Sequence, residues 1–103
     1  MMFQLERMPT HPGEVLKEEF LVPLGMSQSA LAEALHCSFR SVNELVNEKR
    51  GVTTEMALKL SRYFNTTPQL WMNFQNEYDL YKTWKKKGTE IESVGHCEKI
   101  NVA

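Results

Sequence analysis

The amino-acid sequence predicts an all-α domain of five helices. Three observations carry that expectation. Apolar residues recur at spacings of three and four, a hydroxyl residue stands just before each of the last four periodic segments, and no stretch alternates as a strand does.

Each helix follows from local residues. From Pro12 to about Val22, EVLKEEFLV places Leu16 and Phe20 four apart, with Pro12 suited to a first helical position and Pro23 and Gly25 as the stop. Ser27 is a natural N-cap for a second, short helix in which Leu31, Ala32 and Leu35 share one face. Ser38 caps a third, FRSVNELVNE, whose Val42, Leu45 and Val46 point inward. That leaves Phe39, Arg40, Ser41, Asn43, Glu44 and Asn47 outside. Thr53 or Thr54 starts a fourth helix through Ala57, Leu60, Ser61 and Phe64, with Glu55 in its dipole-favoured first turn. Thr67-Pro68 opens the fifth and longest, where Trp71, Phe74, Tyr78 and Tyr81 form an aromatic stripe expected in the core and Gly88 marks the end. Residues 1–88 are then one domain and 89–103 a C-terminal tail, in which Ile91 and Val94 hint at a short strand.

At 103 residues the chain has the length of a single domain that needs no disulfide or metal to stand alone. Its 42% hydrophobic and 24% charged residues are ordinary for a soluble globular protein. The start, MMFQLERMPTHPGE, lacks the pattern of a secretory signal, and no run approaches a membrane span, so a cytoplasmic location without membrane contact is expected. A net charge of −1 hides an uneven distribution. Glu6, Glu14, Glu18 and Glu19 crowd the first 22 residues against Arg7 and Lys17, whereas Arg40, Lys49, Arg50, Lys59 and Arg62 cluster mid-chain. One acidic end and one basic face suit two different partners.

The stretch ALHCSFRSVNELVNEKRG invites a metal or thiol reading, because His36-Cys37 is repeated as His96-Cys97. Zinc ligands are spaced to converge, and adjacent side chains at a turn diverge. Cys37 reads instead as a buried apolar residue of the turn, inert because burial raises a thiol pKa. No phosphate loop, paired catalytic carboxylates or triad pattern is present, so no enzyme activity, metal or cofactor is expected.

Two short helices joined by a turn of three or four residues have the dimensions of a helix-turn-helix, whose second helix lies in the major groove of DNA. Ala32 occupies the position where two helices cross closely, and Leu31, Leu35, Val42 and Leu45 stand where the pair must be apolar.

In this order of residues, Gln28 to Arg62 resembles the Xre/Cro-type repressor family, with the lambda-repressor-like fold. HPGEVLKEEFL before the motif and VNEKRGVTTEMALKLSRYFNTTPQLWMNFQNEYDL after it resemble HigA/VapI-type antitoxins, marked by an early HPGE, a helix of the MALKLS kind and a closing TP-x-x-W-x-x-x-Q-x-x-YDL. The resemblance covers residues 11–81. It implies a protein that neutralises a HigB-type, ribosome-dependent mRNA-cleaving toxin by binding it, and that represses its own operon as a homodimer on a palindromic operator. His36 and Glu48 depart from the family pattern, which has Gly at the left-handed turn and often after the recognition-helix Asn. Two other readings share the motif: a solitary regulator with no toxin partner, and a protein-interaction module that has lost DNA binding.

On this reading Ser27 and Gln28 at a helix N-terminus, with Asn47, Lys49 and Arg50 after the recognition helix, are expected to contact phosphates. Phe39, Arg40, Ser41 and Asn43 are expected to face base edges. Arg suits guanine O6/N7, Asn suits adenine, and Phe39 suits a thymine methyl. The acidic face of Glu14, Lys17, Glu18 and Glu19 is a normal solvated face that would also suit a basic partner, and Lys85-Lys86-Lys87 complements a helix end.

Overall fold

The computed structural model describes residues 8–99. Glu6, Arg7 and the last four residues of the tail lie outside them. Among the described residues five helices follow one another and there is no strand. None of these helices is long and apolar enough to cross a membrane.

Helix α1 is a continuous helical segment over residues 12–24, built of an α-turn (Pro12–Val15), a π-helical stretch (Leu16–Leu21) and a last turn (Val22–Leu24). Its cap is His11, whose Nδ1 accepts from the Gly13 N–H at 2.8 Å. Pro12 occupies the first helical position, where a missing N–H costs nothing. The helix does not stop at Pro23. Proline cannot donate to a carbonyl four residues back and its ring crowds that carbonyl. Here the register has already widened, with the Val22 N–H bonded to the Lys17 carbonyl five residues back, and the helix passes through Pro23. Gly25, at φ 61°, ends it in the left-handed conformation.

Helix α2 (Gln28–Ala34) and α3 (Phe39–Val46) are both N-capped by the serines expected, Ser27 and Ser38, which accept from Ala30 N and Ser41 N. Thr53 caps α4 (Thr54–Phe64) by accepting from Met56 N, and Thr67 caps α5 (Pro68–Glu92) by accepting from Leu70 N. Packing joins α2 to α3, α4 to α5, and α1 to both α3 and α5. The fully buried side chains Leu16, Leu31, Val42, Leu45, Leu60 and Trp71 come from all five helices. Each such burial contributes about 1.5–3 kcal/mol relative to exposure. Phe20 closes the core from α1, 4.6 Å from the Phe64 ring and 5.3 Å from Trp71.

Helix α5 departs from expectation in two ways. Only its first half packs on the body, and the molecule is 53 Å long against 23 and 22 Å in the other directions. Trp71 is therefore fully buried, but Phe74, Tyr78 and Tyr81 are half-buried, and the polar Gln75 takes the second buried place. The helix also runs past Gly88 to Glu92, with a local distortion at Lys87 (φ −126°, ψ 18°). The strand expected around Ile91 and Val94 is absent. Ile91 is helical, Val94 is bonded back to the Ile91 carbonyl in a turn, and both are exposed, with no strand among the described residues to pair with.

Candidate nucleic-acid interface

The α2–α3 pair is held in place from behind by the HPGE segment. A Cβ on Gly13 would lie 1.8 Å from the Leu45 carbonyl oxygen, so only glycine lets α1 approach the end of α3 so closely. His11 is buried beside this contact, with its ring edge-on to Tyr78 at 4.6 Å. On the far side, Gln75 accepts from the Val52 N–H at 2.7 Å and donates to Asp79 at 3.0 Å, tying the loop after α3 to α5. Gly51 leaves room for that side chain, since a Cβ there would come within 2.7 Å of it. Trp71 donates to Thr66 Oγ1 at 2.9 Å. The pieces before and after the motif thus act as braces for α3.

Two residues in place of glycine take up the left-handed conformation the motif requires: His36 at φ 56° in the α2–α3 turn, and Glu48 at φ 61° after α3. The Lys59 ammonium donates to the His36 carbonyl at 3.3 Å. Cys37 packs against the core but is half-buried rather than enclosed, because the turn is open on its outer side. Cys97 is exposed.

The outer face of α3 presents the residues expected to meet bases, though not all equally. Phe39 and Arg40 are well exposed, the latter with 79% of its side chain accessible. Ser41 and Asn43 are half-buried and already engaged. The Ser41 hydroxyl lies 2.9 Å from that of Ser38, and Asn43 donates to Gln28 Oε1 at 3.0 Å, locking the start of α2 against α3. Of the residues expected at phosphates, Ser27, Asn47, Lys49 and Arg50 are exposed and Gln28 is half-buried.

The sequence placed Glu44 on the outer face of this helix but gave it no role. Its carboxylate accepts from Arg40 Nε at 2.8 Å, and from Arg50 Nε at 3.1 Å and Nη2 at 2.8 Å. Arg50 Nη1 also donates to Ser41 Oγ at 3.2 Å. The hydrogen bond from Arg40, then that from Arg50, holds the Glu44 carboxyl below the usual carboxylate range, and Glu44 in turn pushes the Arg40 guanidinium up. The i, i+4 spacing of Arg40 and Glu44 was a readable signal. The share taken by Arg50 was not, since it depends on how the loop after α3 turns back.

A capped seven-residue helix, a left-handed turn and an eight-residue helix with an exposed polar face define a helix-turn-helix protein. The family described as Helix-turn-helix matches residues 16–71. Virulence-associated protein I of Dichelobacter nodosus is 54% identical over 70 residues, covering 68% of this chain and 65% of its own length. An Escherichia coli K12 protein named uncharacterized HTH-type transcriptional regulator YbaQ is 40% identical over 99 residues, covering 96% and 87%. A structure of Pseudomonas aeruginosa antitoxin HigA with the higBA promoter superposes with a TM-score of 0.83 at 44% identity, covering 87% of this chain and 98% of that one. The chain belongs to the Xre/Cro-type helix-turn-helix family, among its HigA/VapI-type antitoxins.

Proposed function

We propose that this chain is a sequence-specific DNA-binding antitoxin that represses its own operon as a dimer and neutralises a HigB-type toxin by direct binding. The observation that carries the DNA half is the exposed face of α3, braced by Gly13 of α1 and, through the loop after α3, by Gln75 of α5, and flanked by Lys49 and Arg50. Phe39, Arg40, Ser41 and Asn43 face the bases of the major groove. Ser27, Gln28, Asn47, Lys49 and Arg50 meet the phosphates on either side, Ser27 and Gln28 at the N-terminus of α2. One such motif touches few phosphates, and a dimer on half-sites about one turn of DNA apart supplies the remaining affinity and the palindromic preference.

The neutralising half is supported by likeness to a structure named as HigA antitoxin. Gel shift on the DNA upstream of its own gene, at several salt concentrations, tests the first half, and absence of specific binding at low salt sinks it. Co-expression with the adjacent small open reading frame tests the second. Failure of that product either to co-purify or to harm growth alone leaves a solitary regulator, the reading that the name of the E. coli relative favours.

A further inference from the structure

We infer that Glu44 is a positioning residue that sets the sequence selectivity of α3 by aiming Arg40 before DNA arrives. The inference rests on the reading of this face as a DNA interface and deepens it. An acidic side chain on a groove-facing helix opposes phosphate attraction, so its presence there needs a compensating role.

The geometry supplies one. Arg40 reaches Glu44 through Nε alone, and among the described residues its two Nη groups make no hydrogen bond. The edge of the guanidinium that is left over is the paired Nη edge, the fork that meets guanine O6 and N7 together. A side chain as exposed as Arg40 would otherwise sample many rotamers, and ordering it in advance removes part of the cost of binding.

Arg50 completes the frame. It meets Glu44 side-on through Nε and Nη2 and donates to Ser41 through Nη1. It thereby holds the carboxylate in register and cancels its charge. This is more than a lone exposed ion pair, since three donors from two arginines converge on one carboxylate and a fourth bond returns to α3. Glu44 is thus placed to trade general affinity for discrimination, and Arg50 to serve as a strut as well as a phosphate ligand.

The test compares affinities for a duplex of the upstream DNA and for a scrambled duplex of equal composition, using the intact chain, Glu44→Gln, Glu44→Ala, Arg40→Ala and the double variant Arg40→Ala/Glu44→Gln. The expected result is that both Glu44 variants lower the specific-to-scrambled ratio roughly fivefold or more, the lower bound for one bidentate base contact. Affinity for the scrambled duplex should hold or rise, and its salt slope should steepen as Arg50 is released to phosphate. In the Arg40→Ala background, Glu44→Gln should change the ratio no further. An unchanged ratio in both Glu44 variants, including a proportional loss on the two duplexes, overturns the inference. So does an equal drop in the Arg40→Ala background, which would show Glu44 acting without Arg40. Failure of the intact chain to distinguish the duplexes would instead remove the interface reading itself, and this inference with it.

Discussion

Arg40 and Lys49 both carry an exposed positive charge, yet their losses should look different. Arg40 projects from the first turn of α3, so Arg40→Ala should relax preference at one base position, roughly 5- to 150-fold, measured on duplexes varied base by base. Lys49 follows the helix and faces the backbone on this reading. Lys49→Ala should weaken all duplexes alike and reduce the salt slope by about 0.9 per protomer, read from binding at several ionic strengths. His11 makes a prediction about stability. Its Nδ1 must stay unprotonated to accept from Gly13, and burial pushes its pKa below the ordinary 6.5, against the pull of Glu48, Asp79 and Glu14, with Lys82 adding to the lowering. The unfolded chain then binds the proton more readily than the folded one. His11 therefore contributes stability in full above about pH 6.5, and the contribution falls away as the pH drops below that value. His11→Asn keeps an oxygen for the cap and removes the titration. Its melting temperature should fall less between about pH 7 and pH 5 than that of the parent, and equal slopes would assign the acid sensitivity elsewhere.

The turns that join the helices are where single residues act on whole elements. His36 holds a left-handed conformation that costs an L-residue about 1–2 kcal/mol, and glycine gives back part of that through the freer unfolded chain. His36→Gly should stabilise the fold by roughly 0.5–1 kcal/mol, seen as a higher denaturant midpoint at unchanged slope. The loop after α3 depends on an element distant in sequence. Gln75→Leu would leave the Val52 N–H buried without its acceptor, a loss of about 1–3 kcal/mol, and should loosen the exit of α3 enough to lower DNA affinity as well. Hydrogen exchange at Val52 checks the mechanism directly: unchanged protection would mean that another acceptor takes over. At this scale the sequence was largely legible. The hydroxyl caps and the alternation of three and four report on neighbours within one turn, and the caps at Ser27, Ser38, Thr53 and Thr67 stand where that pattern puts them. Pro23 misled because the π-register that tolerates it leaves no mark in residue order.

For the whole molecule, the net charge of −1 bears on how binding should respond to salt. Glu44 offsets part of the positive charge of Arg40 and Arg50, so on the proposed reading few phosphates should be neutralised per protomer. For a dimer the slope of log affinity against log salt should be shallow, on the order of −2 to −4 at about 0.9 per phosphate. A slope near −10 would mean that lysines beyond the helix-turn-helix, such as those at the end of α5, take part. Shape enters here too: α5 extends beyond the body, so its second half keeps half-buried and exposed side chains where a core stripe was expected.

By itself the sequence determined the number and order of the helices, their caps, the apolar positions of α2 and α3, and the family, because each depends on residues close along the chain or on motifs quoted whole. Tertiary structure alone decided that His11, Gly13 and Gln75 brace the recognition helix, that Asn43 is held by Gln28, and that Glu44 gathers Arg40 and Arg50. Those pairings join groups brought together by how helices cross and loops return. The distance between two side chains in space is then set by packing, which periodicity along one helix does not encode.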